Sequence, residues 1–151
     1  MRFVFNDGGR AVAGHRGRAG DCVTRAIAIG TGKPYQEVFD ALNALASSER
    51  IGRRKKKKSN SNSGVFRKTY ERYLRSLGWR WNSTMSIGSG CTVHLRAREL
   101  PGGTLVVRVS RHLTTVIDGV IHDTHDCSRA GRRCVYGYFS PPTDSRQLTL
   151  P

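Results

Sequence analysis

The spacing of apolar residues divides the chain into a helical first half and a strand-rich second half. Apolar positions recur at helical spacing after Cys22, after Pro34 and up to Gly78, which predicts three helices. Beyond Gly78 the pattern alternates or becomes β-branched, which predicts strands. The predicted strands cover residues 2–5, 79–82, 104–109, 113–117, 120–124 and 134–139. Helices followed by antiparallel strands predict an α+β fold.

The register of one hairpin follows from its turn. Asp118 and Gly119 separate two apolar strands, and this pair favours a two-residue turn. In that register, His112 and Asp123 lie diagonally across from each other on one face. Their shared face also includes Thr114 and His125. Asp123 is therefore the carboxylate best placed to orient His112, because the other acidic residues of the hairpin fall at its tip or on its opposite face.

The composition is that of a folded, polar protein. The chain has 151 residues, 37% of them hydrophobic and 25% charged, which predicts one domain over residues 1–151. No apolar run approaches the roughly 20 residues of a membrane span, and the N-terminus lacks the apolar core of a secretory signal. We therefore expect a cytoplasmic protein with no membrane contact. In that reducing compartment all four cysteines are expected as free thiols, and Cys127 and Cys134 would pair only in an exported chain.

The charge of the chain is strongly basic. Its formal net charge is +15, from 26 Lys and Arg against 11 Asp and Glu, which favours contact with polyanions such as nucleic acid. Residues 47–64 combine a cation run with a Ser/Asn tract and are expected to form a flexible, exposed loop. The candidate phosphate-binding residues are Arg53, Arg54, Lys55, Lys56, Lys57 and Lys58. The plainer interpretation of this run is a solvated loop without a dedicated partner.

One cysteine has a placement that suggests chemistry. Cys22 is predicted at the first position of a helix, after Asp21 as its N-cap, and the other cysteines are not predicted at helix starts. A helix N-terminus stabilises a thiolate, which is the nucleophilic form of the side chain. With His112 as general base and Asp123 as the residue that orients it, the chain contains the three roles of a thiol hydrolase.

These residues resemble those of the papain-like cysteine peptidase superfamily. GDCVTRA, around Cys22, is similar to the ovarian-tumour deubiquitinase motif, and HLTTVIDGVIHDTHD is similar to the His–Asp hairpin of bacteriocin-processing peptidases. The resemblance implies N-terminal helices packed on a C-terminal antiparallel sheet. It also implies Cys22 as nucleophile, His112 as base, Asp123 as orienting residue, and cleavage of a peptide, isopeptide or related acyl bond without a cofactor. The chain also looks like small phage and mobile-element proteins, which implies a bacterial host cell.

The family's oxyanion-stabilising glutamine is not matched in this chain. It normally lies about six residues before the cysteine, where this chain has Arg16. Besides Arg16 itself, the oxyanion candidates are His15 and Asn6, acting with backbone N–H groups. The alternative is that the site does not work as a peptidase.

Two other interpretations of the sequence remain open. The cluster of His122, His125, Asp126, Cys127 and Cys134 contains zinc-ligand residue types, but it lacks CxxC or HxxxH spacing, so no metal is expected. The alternative function is that of a non-catalytic, basic, phage-type protein that binds nucleic acid or a host factor.

Overall fold

A computed structural model describes residues 1–143 of the chain; residues 144–151 of the expected domain lie outside the described residues. The helices are α1 (Cys22–Thr31), α2 (Tyr35–Ala46) and α3 (Arg67–Ser76), with a short 3-10 helix at Ala97–Glu99. The strands are β1 (Arg2–Phe5), β2 (Arg80–Ser83), β3 (Thr104–Val109), β4 (His112–Ile117), β5 (Val120–Asp123) and β6 (Val135–Ser140). The predicted α+β class is confirmed, and the predicted elements agree with these bounds to within one or two residues.

Helix α1 begins and ends where the sequence predicts, but its first residues are held differently. Gly32 adopts a left-handed conformation with φ of 73° and donates its N–H to the Ala28 carbonyl, which ends the helix. Asp21 precedes the first helical residue but makes no side-chain capping hydrogen bond. The predicted capping role of Asp21 is therefore wrong, because its carboxylate is taken up by Arg25, Arg10 and Tyr35.

The strands form one mixed six-stranded sheet in the order β1-β5-β4-β3-β6-β2. The expectation of an antiparallel sheet is wrong at one edge, where β1 runs parallel to β5 with Arg2 opposite Val120 and Phe5 opposite Asp123. The other neighbouring strands are antiparallel. An apolar pattern identifies β1 as a strand, but it carries no information about its partner.

The sheet has a hydrophobic core on each face. Side chains alternate along β3, so that Val106 packs with the helices while Leu105 and Val107 pack on the opposite side. The three helices cover the first face. Segments between β2 and β3 and between β5 and β6 cover the second, contributing Leu95, Leu100 and Cys127. Strand β4 follows the same alternation, with Leu113 in the helix-side core and Val116 in the other.

Residues 47–64 are only partly the exposed loop that the sequence predicts. Residues 53–58 are exposed, as are Asn60, Asn62 and Ser63, but Ser59 and Ser61 are buried, so the expected exposure is wrong for these two serines of the Ser/Asn tract. The Ser61 hydroxyl donates to the Phe39 carbonyl at 2.5 Å, and its N–H donates to Asn43 Oδ1 at 2.8 Å. Serine can be buried at little cost when its polar atoms find partners, and here the partners lie on α2, distant in sequence.

Two of the four cysteines are paired. Cys91 and Cys134 form a disulfide with Cα atoms 5.8 Å apart, whereas Cys22 and Cys127 are free. The expectation of four free thiols is therefore wrong, and so is the conditional pairing of Cys127 with Cys134. The bridge between His94 and Cys134 brings the paired cysteines together across 43 residues of sequence. Within residues 1–143, no helix is long and apolar enough to cross a membrane.

Candidate active site

The β4–β5 hairpin positions His112 and Asp123 as its turn chemistry predicts. Asp118 and Gly119 have φ values of 47° and 78°, the conformation of a type I′ turn, and Ile117 pairs with Val120. The recorded pairing ends at Thr115 opposite His122. Past that point, His112 Nε2 lies 2.7 Å from Asp123 Oδ2.

Asp123 is a buried carboxylate with several partners. Its side chain accepts hydrogen bonds from Thr114 Oγ1 at 2.7 Å and from the Thr124 N–H at 2.7 Å. Burial alone would raise the pKa of Asp123, but the hydrogen bond and charge of His112 lower it below its usual value. Asp123 is therefore held as a carboxylate and accepts a hydrogen bond from the Nε2–H of His112.

His112 contacts a thiol on each side of the sheet. Burial alone would lower its pKa, but hydrogen bonds with Asp123, Cys127 and Cys22 raise the pKa well above the ordinary histidine value. Since Nε2 is engaged by Asp123, Nδ1 is the nitrogen that remains for a thiol. His112 is the first residue of β4, at the end of the sheet, where a side chain can meet residues from both covering layers.

Cys22 lies at the start of α1 and is partly exposed. Burial raises the pKa of its thiol, but a hydrogen bond and the charge of His112 outweigh burial, so the pKa of Cys22 is lowered. The Leu113 N–H and the Arg25 charge lower it further. The arrangement favours a thiolate at Cys22 beside an imidazolium at His112.

Arg25 is a site residue that the sequence analysis did not identify. Its guanidinium binds the Asp21 carboxylate and lies 3.5 Å from Asp123 Oδ1, so it joins α1 to the hairpin. Asp21 is also bound by Arg10 at 3.1 Å and by the Tyr35 hydroxyl at 2.7 Å. The charge of Asp21, which would oppose a thiolate next to it, is thereby neutralised. The i,i+4 spacing of Asp21 and Arg25 is the sequence signal for the first of these pairs.

A groove of about 420 Å³ opens over the thiol; we call it the Cys22 groove. It is lined by Gly20, Cys22, Val23, Ser63, Gly64, Val65, Arg67, Tyr70, Arg108, Val109, Arg111, His112 and Leu113. The Ser/Asn tract forms part of its wall through Ser63 and Gly64. It packs closely on the start of α1, since a Cβ on Gly20 would lie 2.6 Å from the Ser63 carbonyl oxygen. The Thr24 hydroxyl holds the same tract by donating to the Ser61 carbonyl at 2.9 Å.

The three side chains predicted for the oxyanion do not line this groove. Asn6 follows β1 and donates its N–H to the Asp123 carbonyl at 2.8 Å, while its side-chain oxygen accepts from the Gly8 N–H. His15 packs against α2, with Nε2 2.7 Å from Gln36 Oε1. Arg16 is exposed. Cys22 is the first residue of α1, and helix geometry leaves the N–H groups of the first turn without intrahelical partners, so they are available as donors beside the thiol.

The cations predicted to bind phosphate lie apart from the Cys22 groove. Arg53, Arg54, Lys55, Lys56, Lys57 and Lys58 are exposed. Lys58 Nζ donates to the Ser47 carbonyl at 2.7 Å, and Lys55 Nζ lies 4.2 Å from the centre of the Phe66 ring. These contacts tie the two lysines to the ends of neighbouring helices.

Within residues 1–143, one group of three side chains has ligand atoms close enough to consider for a metal. His112, Asp123 and Cys127 have such atoms within 4.8 Å of one another. A zinc ion with bonds of about 2.1 Å holds its ligands roughly 3.4 Å apart, whereas Nε2 and Oδ2 are 2.7 Å apart. The geometry is that of a direct hydrogen bond. Of the other predicted zinc-type residues, Cys134 is in the disulfide, Asp126 is hydrogen-bonded to Ser128, and the His125 ring packs 5.1 Å from that of His112.

Comparison with known protein families, curated proteins and solved structures gives no match to this chain.

Proposed function

We propose that this chain is a small thiol hydrolase of papain-like architecture that cleaves a peptide, isopeptide or related acyl bond. The observation that carries the proposal is the arrangement of Cys22, His112 and Asp123. His112 Nε2 lies 2.7 Å from Asp123 Oδ2, and the pKa of the Cys22 thiol, which lines a groove, is lowered. Helix-borne cysteine, strand-borne histidine and carboxylate support the resemblance to that superfamily, as does the packing of helices on a sheet.

The reaction follows from these groups. The Cys22 thiolate attacks the carbonyl carbon, and the N–H groups at the start of α1 stabilise the oxyanion. His112 then gives the Nδ1 proton to the leaving group as the carbon–leaving group bond breaks, which leaves a thioester on Cys22. His112 next takes a proton from water, whose oxygen attacks the thioester. The acid product departs, and the thiolate–imidazolium pair is restored. Asp123 holds the ring in position and stabilises its positive form throughout.

Selective alkylation tests the proposal. Iodoacetamide should modify Cys22 at pH 7 at least about tenfold faster than it modifies glutathione, because the thiolate fraction is larger. Cys127 is 2% exposed and should stay unmodified in the folded protein. Peptide mass spectrometry after timed quenching gives both rates.

A pair of histidine variants completes the test. His112→Ala should slow Cys22 alkylation at pH 7 at least about tenfold, because burial, the largest influence on the thiol, then acts without the opposing hydrogen bond and charge of His112. His122→Ala is the matched control, since His122 lies on the same hairpin with its side chain on the opposite face, and it should leave the rate unchanged. Equal rates at Cys22 and glutathione, or equal effects of the two variants, would contradict the proposal.

A second candidate function rests on the exposed cation run at residues 53–58. Six adjacent cations can bind a phosphate backbone, and such binding weakens steeply with salt. Fluorescence anisotropy with a labelled 20-nucleotide single strand should show binding at low salt that is lost when all six cations are replaced by Gln. Equal binding by that variant and by the native chain would rule this run out as the binding surface.

A further inference from the structure

The wall of the Cys22 groove carries an excess of positive charge. Arg67, Arg108 and Arg111 all line it, from the start of α3, from β3 and from the β3–β4 turn. Within the described chain, the recorded carboxylate partner of this cluster is Glu71, which lies 2.6 Å from Arg67 and 3.4 Å from Arg108. One carboxylate against three guanidinium groups leaves the wall cationic.

Arg108 is fixed in place. Its guanidinium lies 4.6 Å from the centre of the Trp81 ring and 3.4 Å from Glu71 Oε1. Its side chain is 15% exposed, so its charge is only partly screened by water. A guanidinium held this way presents fixed donors to the groove and loses little freedom when it binds a carboxylate.

Arg111 occupies a backbone conformation that favours glycine. Its φ is 56°, and it is the exposed second residue of the tight turn between β3 and β4, immediately before His112. The turn is held from outside, since the Arg133 guanidinium donates to the Ser110 carbonyl. A side chain at a position that favours glycine costs stability, which suggests that the guanidinium has a use. Arg111 lines the Cys22 groove together with Cys22 and His112.

We infer that the Cys22 groove selects acyl substrates that carry a carboxylate close to the scissile bond, held by Arg108 and Arg111 with Arg67 at the rim. The inference rests on the proposed hydrolase function and adds the class of substrate. The remaining lining supplies apolar contacts through Val23, Val65, Val109 and Leu113 on either side of the charged positions.

The anionic and neutral forms of one small alkylating agent test the inference. Iodoacetate and iodoacetamide differ by a carboxylate, and with both the thiolate displaces iodide from the same methylene carbon. The ratio of the two rates, iodoacetate over iodoacetamide, should be higher at Cys22 than at glutathione, and 0.5 M NaCl should reduce it. Each arginine should contribute about two- to fivefold, the effect of one charge several ångströms away in a partly screened site.

Arginine variants test whether the wall of the Cys22 groove causes the higher iodoacetate-to-iodoacetamide ratio. Arg111→Gly removes the charge and relieves the turn, so thermal stability should hold while the ratio falls; Arg108→Gln should lower the ratio as well. Arg98→Gln is the control, because Arg98 is exposed on a surface shared with Met1 and Gly131. A ratio equal to that of glutathione, or one that Arg111→Gly and Arg108→Gln leave unchanged, overturns the inference. Slow modification by both reagents would instead count against an activated Cys22, and therefore against the hydrolase function.

Discussion

His112 contacts two free cysteines, and these come from opposite layers of the molecule. Cys22 arrives from the helix layer, at the start of α1, and is partly exposed in a groove. Cys127 arrives from the segment that covers the other face, where it is 2% exposed in a core with Val107 and Val116. Both thiols act on the same imidazole and raise the pKa of His112.

The two thiols differ in their surroundings, so proximity to a histidine is not sufficient to make a cysteine nucleophilic. Cys22 has helix N–H groups, the Leu113 N–H, the Arg25 charge and an open approach for a substrate. Cys127 has apolar neighbours and no approach from solvent. Access and local charge, rather than the shared His112, assign the chemistry to Cys22.

The largest expected effect comes from exchanging each sulfur in turn. Cys22→Ser should lower the rate of p-nitrophenyl acetate hydrolysis about 10³-fold or more, because a serine hydroxyl is not ionised beside His112. Cys127→Ser should keep the rate within about fivefold of the native protein. Initial rates of nitrophenolate release, with circular dichroism to verify folding, make the comparison. A larger loss for Cys127→Ser would reverse the roles assigned to the two layers.

The predicted placement of His112 beside Asp123, and of Cys22 at a helix start, has a local cause. The Asp118–Gly119 turn alone fixes the register of the hairpin, and one register decides which side chains share a face. The start of α1 at Cys22 likewise depends on residues within one helical turn. The pairing of His112 with Asp123 and the α+β class could therefore be predicted. The approach of Cys22 to His112 joins distant segments and was expected only from the resemblance, and the papain-like relationship stays a prediction.

The features that sequence analysis missed depend on contacts between distant residues. The parallel pairing of β1, the disulfide from Cys91 to Cys134 and the burial of Ser61 each join segments that no local pattern connects. Arg25 belongs to the same group, because its partner Asp123 is 98 residues away. Ser and Asn composition suggests exposure, yet Ser61 is buried because α2 supplies its hydrogen-bond partners.

Variants of two acidic residues in the hairpin region test which carboxylate orients His112. Asp123→Asn should lower p-nitrophenyl acetate hydrolysis about 10²–10⁴-fold, because an amide cannot hold the imidazolium or fix the ring tautomer. Asp126→Asn is the control and should stay within about threefold, since Asp126 binds the Ser128 N–H and hydroxyl at 2.9 and 2.7 Å. Equal losses would show that Asp123 does not orient His112 toward Cys22.

Asp123→Asn should also change how the stability of the fold depends on pH. The pKa of Asp123 is lowered in the folded protein, so its ionised form stabilises the fold above the unfolded value of about 4. That contribution disappears as the pH falls through the lowered pKa. In urea unfolding, the native protein should therefore have a higher free energy of unfolding than Asp123→Asn at pH 7. The difference between the two free energies should disappear at strongly acidic pH.

The pH dependence of alkylation separates the two thiols further. The pKa of Cys22 is lowered, so its rate with iodoacetamide should rise to half its maximum at a pH below the ordinary thiol value of about 8.5. In His112→Ala the midpoint should move above that value, because burial still acts on the thiol without the imidazolium. Cys127 should react only as fast as the protein opens. A Cys22 midpoint that His112→Ala leaves in place would contradict the thiolate–imidazolium pair.

The smallest effect is expected from a change in the packing of Gly20 against the Ser/Asn tract, which forms part of the wall of the Cys22 groove. Gly20→Ala should cost about 1–3 kcal/mol in urea unfolding, because a Cβ there would lie 2.6 Å from the backbone oxygen of Ser63. Backbone yields less readily than a side chain, so the Ser/Asn tract must shift and the Cys22 groove with it. Gly52→Ala is the matched control, since a Cβ there meets nothing within 4 Å, and it should change stability by less than about 1 kcal/mol. If Gly20→Ala leaves both stability and Cys22 alkylation unchanged, the tract does not brace the reactive thiol, and the contrast with the deeply packed Cys127 rests on solvent access alone.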